Sequence, residues 1–507
     1  MDLFMRMFLR SCSLFKQITV EPIAVLLFLS TQLFFVTLQA GTYQVICYQL
    51  YRGDNGQNFT VDCKSTSLPI SIQNDIQRQM AKWTVIMALS HFVTGMFSSC
   101  FLGALGDVYG RKPNILMGLA GILISCAATP VVFEYKFVSL WLLAFMNVVG
   151  GCFGFIGLII MSCYAYLCDR ILDKKNISVR MTMFTALTQV AGVLGSLVSG
   201  VLLGKISPSR MFIIIECLLT AAFFYSLLFL ESLTPVKMRQ KVLVEQHRTS
   251  ISTPLPELRK DDPTTIDTTT HHAAKPPTVG QFLRQQVRGL VKNILITYTK
   301  ERPNHDRAFL VVTSFILFFH MMADLGLLNS VMGNYVFRHP FNWTDGSQLG
   351  YWKAIKGFLT FTGNVGGILV FKKVLKMRDT TVMLISVAST MLELIVIAFS
   401  YESWMLYVAI VVGCFSNLVM PVVGSFISQI VHYDEVGKSF TMHGIASSLA
   451  FMSSATLFSF VYKATLEFMP GFVFLFGACI MFLCLLIILW MHVIVLKKEV
   501  LPAKNNK

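Results

Sequence analysis

His320 and Asp324 stand four residues apart in one long apolar run, and Lys353 and Lys356 stand three apart in the next. On a helix these spacings bring the members of each pair onto one face, a turn apart. An imidazole, a carboxylate and an ammonium held together away from water can share a proton or bind an anion. At about 1.5 Å of rise per residue, Asp324 and Lys356 differ in depth by roughly 7 Å, a gap that a lysine stem spans. The expected unit is therefore a titratable cluster of His320, Asp324 and Lys356, with Lys353 beside it. The same residue types also suit a structural ion pair next to a hydrogen-bonded histidine.

Groups of this kind need a membrane-spanning frame. The chain has 507 residues, of which 54% are hydrophobic and 14% charged, with a mean hydropathy of +0.63. Soluble chains carry roughly a quarter charged residues, so this balance excludes an ordinary soluble enzyme or binding module. A spanning helix takes about 20 apolar residues. Twelve such segments can be cut from the sequence: 22-46, 83-105, 114-133, 138-166, 181-203, 211-230, 308-335, 350-371, 380-400, 404-431, 439-462 and 472-496.

The expected fold class is an all-α membrane protein of twelve transmembrane helices. Its parts are a short end at 1-21, a six-helix half at 22-230, a linker at 231-307, a second six-helix half at 308-496 and a tail at 497-507. An even count puts both ends on one side of the bilayer. With the ends in the cytoplasm, the inner segments hold 31 Lys and Arg and the outer segments 9, and without the linker the bias is still 18 against 9. The positive-inside rule then makes both ends cytoplasmic.

The linker holds 21 of the 69 charged residues, seven of the sixteen prolines and a Thr-rich run from Thr264 to Thr270, a composition that cannot bury a core. Within it Leu283, Val287, Leu290, Val291 and Ile294 share a helical face with Arg284, Arg288 and Lys292 on another, which suits a helix lying on the inner leaflet or an ordinary flexible stretch. The sequons at Asn58 and Asn342 fall in outer loops and are expected glycosylation sites, whereas Asn176 falls inside. The net charge of +15 is scattered between apolar runs, so it speaks for topology and membrane lipid, not nucleic acid. The twelve cysteines include no Cys-x-x-Cys pair, and His271-His272 has no further ligands nearby, so no metal is expected. No nucleotide-binding loop and no grouping of catalytic Ser, His and Asp at membrane depth occurs, so neither a cofactor nor an enzyme activity is expected. Oligomeric state leaves no signal in the sequence.

Between the second and third segments stands Gly103-Ala-Leu-Gly-Asp107-Val-Tyr-Gly110-Arg111-Lys112-Pro113. Gly103 would let two helices approach closely, Gly110 would allow a sharp turn at positive φ, Asp107 would face a helix N-terminus, and Arg111 and Lys112 would fix the loop at the interface. This run resembles the signature loop of the major facilitator superfamily, G-x-x-x-D-x-x-G-R-K/R, at the place in the topology where that superfamily carries it. The resemblance implies that Asp107 contacts the start of the eleventh segment, about Lys438 to Thr441, and helps close the cytoplasmic gate.

Val20-Glu21-Pro22, Trp83-Thr84 and Gly95-Met-Phe97-Ser98-Ser99 resemble solute carrier family 46, the family of the proton-coupled folate transporter, as does the stretch Ala464 to Leu475. Arg378 to Met383 is similar to another branch of that family, and the likeness runs from about Val20 to Ile480. It implies a secondary transporter of a small organic, anionic solute working by alternating access, with proton coupling and a folate-like or muropeptide-like cargo among the options. A non-transporting receptor on the same bundle is the alternative, one that a long signalling tail would favour; only nine residues follow Lys498. The membrane would be the cell surface or an endolysosome.

Several working positions of the folate transporter differ here. Cys152 stands in place of its fourth-span aspartate, Ala144 in place of a basic residue, Thr185 in place of its fifth-span glutamate and Gly424 in place of its tenth-span arginine, while His320 matches its seventh-span histidine. The family's inter-loop disulfide lacks its second cysteine near Asn342, which leaves Cys63 to pair with Cys47 or stay free. The superfamily architecture places spans 1, 2, 4, 5, 7, 8, 10 and 11 around the central cavity. It thereby adds Asn147, Gln189, Asn417 and His443, with His91 and Gln429, as groups for solute contact or for interhelical bonding. Glu216 and Glu393 fall on peripheral spans, where structural hydrogen bonds are the expected use. Gly150, Gly151, Gly154 and Gly157, with Gly192 and Gly195, are expected to let helices pack closely.

Overall fold

The computed structural model describes residues 19–51, 63, 68–154, 156–170, 174–232, 298–300, 306–430 and 433–505, and among them every regular element is a helix. Most of the linker and Asn58 lie outside the described residues. Among the described residues eleven helical stretches are long and apolar enough to cross a membrane, and the helix Tyr433–Thr465 covers the remaining expected segment, the eleventh. Helices are what such sequence must form, because hydrocarbon offers no partner to an unpaired backbone N–H or C=O.

The boundaries depart from the expected ones where polar residues extend a helix or small residues interrupt it. The second span belongs to a 40-residue helix, Ile70–Tyr109. Its first turns carry Gln73, Asn74, Gln77 and Arg78, too polar to count as span by composition yet good enough helix formers to continue it. Gly110 ends it at φ 100°, the left-handed turn that glycine allows without strain. The sixth span, Pro208–Phe229, opens on Ser207, whose hydroxyl accepts from the Arg210 amide, with Pro208 in the first turn. The fourth span breaks between Trp141–Gly151 and Ile156–Arg170, where Gly154 takes φ +96°. The seventh carries a π-helical turn at Met322–Gly326, the eighth ends in another at Ile368–Val374, and the tenth narrows to a 3₁₀ turn at Ser416–Leu418.

In the N-terminal half the first span packs on the fifth and sixth, and the third on the fourth and sixth. Glycines set the closest approaches. A Cβ on Gly150 would stand 2.3 Å from the Gly121 carbonyl oxygen, and one on Gly195 would stand 2.5 Å from that of Leu29. A Cβ on Gly103 would meet nothing within 4 Å among the described residues. It is Gly106, one turn on, that abuts another helix, at the Asn114 side chain, and the Asn114 amide donates to the Leu102 carbonyl at 2.7 Å. In the C-terminal half the ninth span packs on the tenth and twelfth, and the seventh on the eleventh. The halves meet where the fifth span lies on the eighth, the second on the eleventh, and the first on the end of the seventh.

One end of the bundle is marked by a disulfide between Cys47 and Cys63, so the alternative of a free Cys63 does not hold. The bridge closes a loop of 16 residues, which in a chain-entropy treatment stabilises by about 3 kcal/mol. Cys63→Ser is therefore expected to lower the melting temperature of the purified protein, and reductant should lower that of the wild type to match. A variant that melts like the oxidised wild type would contradict this.

Candidate functional site

The seventh, eighth and ninth spans each send one charged side chain to a common buried point. Lys356, midway along Ser347–Gly367, donates to Asp324 Oδ1 at 3.3 Å and to Glu393 Oε1 at 2.5 Å. Asp324 and Glu393 are fully buried, and each keeps a second carboxyl oxygen, Oδ2 and Oε2, with no hydrogen-bond partner among the described residues. Asp324 sits in the π-helical turn, a feature often found at functional sites because it re-aims a side chain within an otherwise regular helix. Gly413 on the tenth span makes room for the other acid, since a Cβ there would fall 2.1 Å from Glu393 Oε2. His320 is fully buried one turn before Asp324, and neither ring nitrogen finds a partner among the described residues.

The spacing argument thus places Asp324 and Lys356 together, and the structure joins them. Three details depart from expectation. Glu393, assigned to the periphery, reaches inward, because a helix on the outside of a bundle still buries one face. His320 is not the satisfied core histidine of the structural alternative, nor does it bond Asp324, since an i+5 turn lies between them and breaks the simple i,i+4 stacking. Lys353 does not join the cluster; its Nζ donates to Asn329 Oδ1 at 3.2 Å. The signal for Glu393 was available in the sequence as an acid alone in an apolar run, on the span next to a lysine with room for more than one counter-charge.

Of the other candidates, Asn147 donates to Met87 Sδ at 3.4 Å, Gln189 is exposed and Asn417 is half-buried in its 3₁₀ turn. None of the three bonds the cluster among the described residues. The His443 and Asp107 side chains lie outside the described residues, as do those around Lys438 to Thr441, the expected partner of Asp107. Arg111 Nε donates to Asp169 Oδ2 at 3.2 Å, at the end of the fourth span. Lys112 Nζ donates to the Leu227 and Leu230 carbonyls at 2.7 and 2.8 Å, completing the C-terminus of the sixth span where its dipole favours a cation. The two basic residues therefore tie the ends of three spans together. Asn342, the second sequon, is half-buried at φ 53° in the turn before the eighth span.

At the disulfide end, polar contacts bridge the two halves. Arg78 pairs with Glu467, Arg338 Nε donates to Asn74 Oδ1 at 3.0 Å, and the His339 amide donates to Gln73 Oε1 at 2.8 Å. Deeper in, Gln39 Nε2 donates to the Asn329 carbonyl at 2.5 Å. The helices touch at Gly200 and Gly350, where a Cβ on Gly350 would come within 2.4 Å of the Gly200 nitrogen. This end is shut.

Two bundles that meet along paired spans, with a buried charge cluster in one and a basic loop at Gly110 in the other, are the parts of a secondary transporter. The family model described as Major Facilitator Superfamily matches residues 57–455, and the chain belongs to that superfamily. Within it the similarity runs to solute carrier family 46. The chain is 27% identical over 416 residues, 80% of its length and 72% of the relative's, to the probable peptidoglycan muropeptide transporter SLC46 of Drosophila melanogaster. It is 23% identical to the proton-coupled folate transporter of Bos taurus, covering 85% of this chain and 83% of that one. It is 24% identical to the lysosomal proton-coupled steroid conjugate and bile acid symporter SLC46A3 of Rattus norvegicus, covering 82% and 80%. Among solved structures, a D-xylose-proton symporter superposes with a TM-score of 0.59 at 14% identity, covering 92% of this chain and 95% of that one. The human organic anion transporter MFSD10 gives 0.55 at 14% identity, covering 92% and 97%. The chain is an integral multi-pass membrane protein of a transporter family, not an enzyme.

Proposed function

We propose that this chain is a proton-coupled transporter of a small organic anion, alternating between access from the two sides of the membrane, with coupling at Asp324, Lys356, Glu393 and His320. One observation supports it most. A single ammonium is buried between two carboxyls, each with an idle oxygen, so with both acids ionised and His320 neutral the cluster carries one excess negative charge. An uncompensated charge away from water is costly, and one proton removes it. The charged groups that act on Glu393 are Lys356 of the eighth span and Asp324 of the seventh, with Gly413 of the tenth span lying against its second oxygen. Loading and releasing that proton changes which acid Lys356 holds, and thereby how the seventh and eighth spans sit against the ninth.

The relatives are named for folate, for steroid conjugates and bile acid, and for muropeptide, compounds that share an anionic group on a small organic body. A similar cargo for this chain fits Lys353, a buried ammonium that has no carboxylate within ion-pair distance among the described residues. We assign the disulfide end to the non-cytosolic side, where disulfides persist, in agreement with the distribution of Lys and Arg. The membrane is that of the cell surface or an endolysosomal compartment.

The test is uptake into proteoliposomes of labelled folate, taurocholate, estrone sulfate and muramyl dipeptide, with and without an imposed proton gradient. Wild type is expected to concentrate at least one of them only with the gradient. Glu393→Gln leaves one ammonium facing one carboxylate, a balanced pair that needs no proton. It should lose gradient-driven accumulation by about tenfold or more while retaining gradient-free exchange. A Glu393→Gln variant with the wild-type pH profile would remove the cluster from the coupling step.

A further inference from the structure

Lys353 and Lys356 are one turn apart on the eighth span, yet their surroundings differ. Lys356 has two carboxyls. Lys353, only 9% exposed, has no carboxylate within ion-pair distance among the described residues, and its one hydrogen bond goes to a neutral amide oxygen of Asn329. The helix explains the difference in direction. Gly346, Gly350 and Gly357 lie on the stripe that packs on the N-terminal half, where added Cβ atoms would meet Ala40, Gly200 and Val193. Lys353 falls on that stripe, three residues after Gly350 and four before Gly357, so it faces the seam between the halves while Lys356 faces the seventh and ninth spans.

The seam around Lys353 holds further polar atoms without partners. Asn329, which receives the Lys353 ammonium, also accepts from Gln39 Nε2 through its carbonyl, and Gln39 Oε1 is buried with no partner among the described residues. Gly333 leaves space for that oxygen, since a Cβ there would sit 2.2 Å from it. One residue further along the chain, Asn334 is 1% exposed with no partner for either amide atom among the described residues, and the Tyr43 hydroxyl, a turn from Gln39, is buried without one there as well. Buried polar groups in such number without partners mark a place where a ligand completes the bonding.

We propose that Lys353, with Gln39 and Asn329, is the subsite that binds the anionic group of the transported solute, a carboxylate or sulfate, at the seam between the halves. It is separate from the proton cluster at Lys356. The assignment rests on the anion-transport reading above. A ligand anion supplies the counter-charge that the protein withholds from Lys353, and residues of the first, seventh and eighth spans hold it from both halves at once. Cargo binding thereby bridges the two bundles.

Kinetics in proteoliposomes decide it, using whichever of folate, taurocholate, estrone sulfate or muramyl dipeptide the wild type carries, beside an uncharged amide or alcohol analogue of that probe. Lys353→Met is expected to raise KM for the anion about 30-fold or more, to leave the pH profile unchanged, and to leave the uncharged analogue unaffected. Lys353→Arg should recover most of the affinity. Ligand-induced thermal stabilisation in detergent, seen with wild type and lost in a well-folded Lys353→Met, gives the same answer without a transport cycle. Unchanged KM in Lys353→Met, or equal losses for anion and uncharged analogue, would overturn the Lys353 assignment alone. Failure of the wild type to bind or carry any of the four probes would remove the anion reading and this subsite with it.

Discussion

Lys356→Met is expected to abolish gradient-driven uptake and to destabilise the protein by about 3–5 kcal/mol, because it leaves Asp324 and Glu393 buried without their shared cation. The loss should show first as poor yield and a lowered melting temperature in detergent. What separates a charge effect from a packing effect is the triple variant Lys356→Met, Asp324→Asn, Glu393→Gln. All three side chains are then neutral and similar in volume, and replacing a buried ionic group by neutral residues is often close to neutral in stability. Melting temperature and yield should recover toward wild type while accumulation against a gradient stays absent. A triple variant as unstable as the single one would mean that Lys356 matters for its packing and not for its charge.

Gly350→Ala is expected to reduce uptake about tenfold or more by a different route. The new methyl would stand 2.4 Å from the backbone nitrogen of Gly200, across the seam between the halves. Backbone does not yield as a side-chain tip does, so the helices must part. The cost falls only on the state in which the disulfide end is shut, and the equilibrium between the two access states shifts toward the one open at that end. Distances between spin labels placed on the second and eleventh spans at that end should lengthen, with the melting temperature little changed. Gly150→Ala makes a useful contrast. Its Cβ would press on Gly121 and Ser125 inside one half, in both states alike, so it should cost stability without moving the label distances. Unchanged label distances in Gly350→Ala would refute the account.

The sequence reads well wherever a physical constraint acts along the chain. Hydrocarbon thickness fixes span length, so the spans fall close to where composition puts them, and the turn at Gly110 follows from a residue type whose backbone freedom is needed there. Asp324 and Lys356 were legible because helical rise makes depth a linear function of residue number. Rotation about the helix axis is not legible in that way. It is set by packing against neighbours, by the π-helical turn before Leu327 and by small residues on other spans such as Gly413. That is why Glu393 turns inward and why Lys353 parts company with Lys356.

The helix from Ile70 to Tyr109 is, at 1.5 Å per residue, about 60 Å long, twice the hydrocarbon thickness of a bilayer. One extremity carries Asn74 and Arg78, clasped to Arg338 and Glu467 of the opposite half, and the other leads through Gly110 into the Arg111 and Lys112 anchorage. An unbroken rod of that reach acts as a beam on a pivot: tipping one extremity away from its neighbour swings the far extremity toward it. In the alternating-access cycle proposed above, opening one mouth of the protein and shutting the other would then be a single mechanical event, with no separate messenger needed between them.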